Sequence, residues 1–261
     1  MRDLLNDLSE GLSNPDPIRR AQIQMKKPLP KRFYNTVSVA SRDEGFAVEL
    51  DGKPVRTPAR QILAVSTAAL AELIAAEWTA QVDVIDPAKM SVTRLVNTAI
   101  DGVATDTQAV FEDILRFSTS DLLCYRAESP EALVQRQAEL WDPVLDWCAN
   151  DLGARFMLIE GVMHHDQPRE AIAAFSAALR RHSDAMVLAA LHTITTLTGS
   201  ALLAVAFAEG FLRMEDVWLL AHLDEDWTIE HWGSDEEAEQ RRAQRFKDFE
   251  AAVNVFLALR D

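Results

Sequence analysis

Residues 46–80 read FAVELDGKPVRTPARQILAVSTAALAELIAAEWTA, and the change of period inside this stretch decides the fold class. Phe46, Val48 and Leu50 recur every second residue, the spacing of a strand with one face buried. Asp51-Gly52 follows as a two-residue hairpin turn, because both residues tolerate the positive φ that such turns demand. Lys53 to Thr57 returns as the partner strand, and Pro54 and Pro58 mark it as an edge or an irregular strand. Gln61 to Val65 supplies a further short strand. At Ser66 the period switches to helical: Ser66 is the expected N-cap, and Leu70, Leu73, Ile74, Glu77 and Trp78 follow on one stripe. Gln81 to Pro87 breaks that helix.

Working outward, Phe33-Asn35-Val37-Val39 repeats the strand period on the N-terminal side. The strands are joined by hairpins and short loops, so the sheet is expected to be mainly antiparallel. Residues 1–30 are polar and carry Pro15, Pro17, Pro28 and Pro30, which predicts a short helix and then a linker. Beyond Met90 almost everything reads as helix. Ser129 is the expected N-cap of a helix with Pro130 at its first position. Ser234 with Glu237 forms the pattern of a capping box ahead of a last helix. That helix places Phe246, Phe249, Val253 and Phe256 on one face. The expected fold is therefore α+β: a polar segment over 1–30, a small antiparallel β-rich domain with a helix over 31–104, and an all-helical domain over 105–261.

One segment resembles a membrane span. Residues 185–208 carry no formal charge and exceed the ~20 apolar residues that cross a bilayer. His192, Thr193, Thr195, Thr196, Thr198 and Ser200 are scattered through it, however, and Gly199 interrupts it. Two consecutive core helices broken around Thr198-Gly199-Ser200 are expected instead, with no membrane insertion.

The 261 residues include 26 basic and 41 acidic ones, a formal charge of −15, and 48% are hydrophobic. Such a chain buries a sizeable core, and its charge excludes non-specific binding to nucleic acid or to an anionic membrane. Cys124 and Cys148 sit in apolar surroundings and are expected to be buried free thiols. Met1 to Asp7 lacks the apolar run of a secretory signal, and its acids argue against a mitochondrial presequence, so a bacterial cytoplasm is the expected home. The nine glycines are dispersed and form neither a dinucleotide fingerprint nor a phosphate loop, so no cofactor is expected.

Catalytic and metal-binding residues are expected to be none. His164-His165-Asp166 is the cluster on which an alternative reading, a small-molecule or metal-dependent enzyme, has to rest. Adjacent residues point in different directions, and Gln167-Pro168 directly afterwards suggests a loop with Asp166 capping the next helix. His182, His192, His222 and His231 stand isolated in helical surroundings and are expected to be structural.

The acids carry more information. Asp224, Glu225, Asp226, Glu230, Asp235, Glu236, Glu237 and Glu239 crowd one stretch, interleaved with Trp227 and Trp232. Composition alone allows a solvated junction between helices. The functional reading is an acidic rim around aromatic anchors, with Asp224, Glu225, Asp226, Trp227, Glu230 and Trp232 binding a partner protein. The bases expected near them are Arg241, Arg242, Arg245 and Lys247 on the following helix, too few to pair the acids. Trp78 and Trp141, like Trp147 and Trp218, fit core positions, and Trp78 is expected to stabilise the β-rich domain or an interface.

A family resemblance then emerges. Trp78-Thr79-Ala80-Gln81, Ile85-Asp86-Pro87-Ala88-Lys89-Met90, Thr93-Arg94-Leu95 and Asn97-Thr98-Ala99-Ile100-Asp101 resemble the ATP synthase assembly chaperones that bind the α subunit of the catalytic F(1) sector. The likeness continues through Asp121-Leu122-Leu123-Cys124-Tyr125-Arg126-Ala127, Gln137, Trp141-Asp142-Pro143, Glu160-Gly161, Gln167-Pro168 and Thr198-Gly199-Ser200. It ends in Asp224-Glu225-Asp226-Trp227 and Trp232-Gly233, so it spans roughly residues 30–260. Ser91 and Thr228 depart from the pattern, where proline and glutamine are expected. The resemblance implies a β-rich domain followed by a helical one. It also implies a chaperone that covers the free α subunit until the β subunit replaces it, with no nucleotide turnover and no bound small molecule. The family has members in the mitochondrial matrix as well as in bacteria. A generic acidic scaffold without a dedicated client is the remaining alternative.

Overall fold

The computed structural model describes residues 28–43, 45–161 and 165–260. The helix and linker expected over residues 1–30 lie outside them, save for the last three positions. The chain divides into two compact units, one ending at Met90 and the other beginning at Ser91, whereas the sequence pattern places the boundary after residue 104.

The first unit is the expected antiparallel sheet with one helix across it. β1 (Val37–Arg42) pairs with β2 (Gly45–Leu50) in a register that sets Val39 opposite Val48. β2 continues to β3 (Lys53–Pro54) through a loop of Asp51 at φ 48° and Gly52 at φ 77°, the positive angles that the dipeptide predicts. β4 (Ala64–Val65) pairs with the other end of β2. The helix α1 (Ala68–Thr79) lays Leu70, Ala71, Ile74 and Ala75 against the strands.

Two local expectations need correction. Residues 33–36 do not join the ladder, because the Asp51 carboxylate takes the amide hydrogens of Asn35 (3.1 Å) and Thr36 (2.8 Å) and the Thr36 hydroxyl (2.9 Å). These bonds hold the Asp51 carboxyl below its ordinary range. The cap of α1 is Thr67, whose Oγ1 accepts from the Leu70 amide at 3.3 Å, rather than Ser66.

The second unit is helical: α2 (Ser91–Asp101), α3 (Thr107–Thr119), α4 (Glu131–Asp151), α5 (Arg169–Leu179), α6 (Ala185–Thr198), α7 (Ala201–Ala208), α8 (Met214–Ala221), α9 (Leu223–Trp232) and α10 (Glu236–Ala258). α6 is its hub and packs against α2, α3, α7 and α10. Between α6 and α7 the chain breaks where expected: Gly199 adopts φ 72°, and the Ser200 hydroxyl caps α7 by accepting from the Leu203 amide at 3.0 Å. All of α7 is buried, and among the described residues no helix is long and apolar enough to cross a membrane.

An all-helical reading of this unit is corrected by one parallel bridge, β5 (Tyr125–Arg126) with β6 (Ile159–Glu160). Its caps also shift. Pro130 is the N-cap of α4, one position beyond Ser129, and Asp235 caps α10 by accepting from the Ala238 amide at 2.9 Å. Ser234 spends its hydroxyl on Glu239 instead of a capping box. Ser91, where the resemblance led us to expect proline, donates its hydroxyl to Asp248 on α10 at 2.6 Å, and Arg94 joins the same carboxylate at 2.6 Å. The substitution therefore supplies a tie that proline cannot make.

Candidate functional site

α9 begins directly after α8, at the buried His222. The His222 ring lies 3.8 Å from that of Trp218, its Nδ1 meets the Trp218 carbonyl at 2.9 Å, and burial pushes its pKa down. Its Nε2 makes no hydrogen bond among the described residues; the nearest Glu225 oxygen is 3.9 Å away. Leu223 is the buried residue of α9, which leaves most of that helix's surface polar.

The acids of α9 are not the unpaired cluster that the sequence suggested. Asp224 accepts from Gln137 Nε2 at 2.8 Å, while the other end of that buried amide accepts from the Ala127 amide at 2.9 Å. Asp226 pairs with Arg242 on α10. Glu230 receives two hydrogen bonds from Arg136 on α4, at 2.6 and 3.0 Å, which hold its carboxyl below the usual range. The expectation that bases come from the following helix alone fails because Arg136 reaches α9 from far away in sequence, as does the neutral amide of Gln137. On α10 itself, Glu237 pairs with Arg241 one turn on.

What α9 leaves uncovered is aromatic. Trp232 is 75% exposed at the C-terminal end of the helix. His231 stacks on the half-buried Trp227 with centroids 4.2 Å apart and lies beside Trp232. Glu225 is half-exposed, and Thr228 is exposed while its hydroxyl donates to the Asp224 carbonyl at 2.8 Å. The chain then turns at Gly233, φ 80°. The surface is thus one exposed indole beside a histidine, set among carboxylates whose positions are fixed by cross-links to α4 and α10. Such an arrangement suits binding: the aromatic supplies contact area, and the charges supply steering.

The other singled-out residues divide. Trp141 is fully buried, donates to the Leu220 carbonyl at 3.0 Å, and has the Arg126 guanidinium 5.3 Å from its ring centre. Trp78 is half-buried; Tyr34 donates its hydroxyl to the Trp78 carbonyl at 2.6 Å and sets its ring edge-on to the indole. His165 and Asp166 are exposed, His164 lies outside the described residues, and α5 is capped at Pro168 rather than at Asp166. Among the described residues no group of His, Cys, Asp and Glu stands close enough to hold a metal ion. His182 and His192 are held by Glu209 (2.8 Å) and Asp113 (2.7 Å). Cys124 and Cys148 are buried free thiols, and burial pushes both far above their ordinary range.

A sequence profile of the ATP12 chaperone protein family matches residues 31–149. The crystal structure of Atp12 from Paracoccus denitrificans matches with a TM-score of 0.82 at 38% identity, covering 88% of this chain and 98% of that one. This chain belongs to the ATP12 chaperone family. A candidate chaperone from Agrobacterium tumefaciens is closer in sequence, at 66% identity and a TM-score of 0.87, over 99% of this chain and 97% of that one. The mitochondrial protein atp12 of Schizosaccharomyces pombe is 24% identical over 236 residues, which is 85% of this chain and 80% of the yeast protein. The α+β reading and the family resemblance are both borne out. The ATP12 profile ends within α4, so the acidic helix α9 is reached by the full-length matches and not by the profile.

Proposed function

We propose that this ATP12 chaperone binds the free α subunit of the ATP synthase F(1) sector, shields its subunit interface, and yields it to the β subunit during assembly. The observation that carries the reading is Trp232, an indole 75% exposed on a helix whose carboxylates are held in place by Arg136, Gln137 and Arg242. An exposed aromatic on a rigid, negatively charged support fits a client surface that is apolar at its centre and basic at its edge. A free α subunit exposes apolar surface that later meets β, which is the kind of patch such a support covers. The chaperone acts by occupancy, with no turnover and no cofactor, and works in the bacterial cytoplasm where α subunits are made. Asp224, Glu225, Asp226, Trp227, Glu230 and Trp232 form the contact, Trp141 maintains the helical unit that presents it, and Trp78 maintains the β-rich unit.

Light scattering of refolding α subunit tests the proposal. An equimolar amount of this protein, without nucleotide, is expected to suppress aggregation, whereas an unrelated aggregating protein such as reduced lysozyme is expected to be unaffected. Equal protection of both would make the protein a generic scaffold, and no protection of α would remove the assignment.

A further inference from the structure

The first unit holds a cavity of about 500 Å³ that the acidic helix does not explain. Its apolar lining residues are Tyr34, Leu50, Pro54, Val55 and Trp78, with Phe33, 69% exposed, among them. The volume falls in the range of pockets that take a small ligand or a pair of side chains, about 300–1,000 Å³. Apolar walls alone do not identify an occupant; the charges do. Lys53 and Arg56 also line the cavity, and neither makes an ion pair among the described residues. Arg56 makes a hydrogen bond to the Arg60 carbonyl at 2.8 Å, which satisfies one donor of its guanidinium and leaves its charge uncompensated. The lining carboxylate, Asp51, is already committed to the amides of Asn35 and Thr36 and to the Thr36 hydroxyl.

An apolar cavity rimmed by two unpaired cations is unexpected in a chain with a net charge of −15. A basic segment, which would suit α9, is repelled here, and a purely apolar one leaves both cations without use. We propose that this cavity is a second peptide-binding site, which takes an extended segment of a partner protein with an apolar or aromatic side chain flanked by carboxylates. The side chain enters between Trp78 and Val55, and the flanking carboxylates meet Lys53 and Arg56. The site is opposite in charge preference to α9. A client that presents both a basic and an acidic-apolar segment has a matching site for each. The proposal does not depend on the client being the α subunit.

The test uses the full-length, ¹⁵N-labelled protein and two synthetic peptides, acetyl-Gly-Glu-Phe-Leu-Glu-Gly-amide and its counterpart with lysine in place of glutamate. The acidic peptide is expected to shift amide resonances at residues 33–34, 50–56 and 78, and the lysine peptide to bind at least tenfold more weakly. Lys53→Glu with Arg56→Glu is expected to weaken the acidic peptide at least tenfold with the melting temperature unchanged. Phe33→Ser, at an exposed position, is expected to weaken it several-fold without reversing the charge preference. Equal binding of the two peptides, shifts confined to other residues, or an unaffected double variant each overturn the proposal. So do identical shifts from acetate alone, which would make this an adventitious anion site, or concentration-dependent shifts without peptide, which would make it a contact between copies of this chain. Because no α subunit is present, failure here leaves the outcome of the aggregation assay unaffected, and the reverse also holds.

Discussion

Arg136 on α4 grips Glu230 on α9 through two hydrogen bonds, 2.6 and 3.0 Å long, across 94 residues of sequence. The bidentate geometry fixes the carboxylate's direction as well as its charge. With Gln137 holding Asp224 and Arg242 holding Asp226, three acids of α9 serve as fastenings between helices. Glu225 is left as the half-exposed acid of that helix without a Lys or Arg salt bridge among the described residues: Arg242, already bonded to Asp226, acts on it only through space, and His222, its pKa pushed down by burial, is 3.9 Å away.

The two kinds of acid are expected to respond differently to charge reversal. Glu225→Lys should slow association with the α subunit several-fold at low ionic strength and flatten its salt dependence, with the melting temperature unchanged. Glu230→Lys sets a lysine against Arg136, so it should both slow association and lower the melting temperature. Restoring the pair in reverse, Glu230→Arg with Arg136→Glu, keeps the net charge and should recover the melting temperature, while association stays slower than in the wild type because residue 230 is part of the contact. Stopped-flow association at two salt concentrations and a thermal melt of each variant separate these outcomes. Equal rates and equal salt slopes throughout would reduce α9 to a solvated junction.

Trp232 is expected to contribute binding energy without contributing to the fold. An indole that is 75% exposed forfeits little when it is removed from the free protein. At the centre of a contact, the same ring is worth about 2 kcal/mol or more. Trp232→Ala should therefore weaken α-subunit binding by more than tenfold in calorimetry while urea unfolding stays the same. A matching loss in both measurements would mean that the ring packs on its own chain.

Trp78 should behave in the opposite way. Its indole sits edge-on to Tyr34, and its Nε1 is buried with no acceptor among the described residues. Trp78→Arg brings a charge to that position and removes the ring, a loss of about 3 kcal/mol that should appear as insoluble protein. Trp78→Phe removes only the unmatched donor and part of the ring, so it should cost less than half as much. Urea unfolding of both variants checks the ratio. Equal losses would show that the N–H, not the ring, is what the site needs.

The legible parts of this fold are those in which one residue type meets a local demand that others cannot. Asp51-Gly52 announced the hairpin because both positions take positive φ, and Gly199 announced the break between α6 and α7 for the same reason. The caps of α1, α4 and α10 were found only to within one residue, and that of α5 to within two. Ser66 stands beside Thr67 and Ser234 beside Asp235, and either member of each pair can accept an amide hydrogen. The short strands failed for a different reason: residues 33–36 alternate correctly, but the Asp51 side chain takes the donors that a ladder needs. At the candidate site the crowding of acids around Trp227 and Trp232 was visible in the sequence. Which acids are tied was not, because Arg136 and Gln137 arrive through tertiary packing. Their one signal was a polar residue, Gln137, inside an apolar helical stripe.

Asp121 gives the last prediction, and its sign is unusual for a carboxylate. The side chain is fully buried, and it accepts from the Ser200 hydroxyl at 2.6 Å, the Leu202 amide at 3.0 Å and the Leu123 amide at 3.2 Å. It thus fastens the start of α7 to the turn after α3. Burial opposes the ionised form more than these bonds favour it, and the pKa is pushed up to about 6 from an ordinary 3.8. A folded-state pKa above the unfolded one means that the folded chain holds the proton more tightly. The stability linked to this group is then fully present below the unfolded pKa and is lost as the pH rises through the folded one. Two pKa units correspond to about 3 kcal/mol, spread over roughly pH 4 to 6. Asp121→Asn removes the titration, and it also loses an acceptor, at a cost of about 1–3 kcal/mol. Relative to the wild type, the variant should therefore look worst near pH 4 and recover by about 3 kcal/mol above pH 7. Urea unfolding of both proteins across that range measures the difference. A gap that does not change with pH would mean that Asp121 is ionised throughout and that its donors, the Ala201 amide included, outweigh its burial.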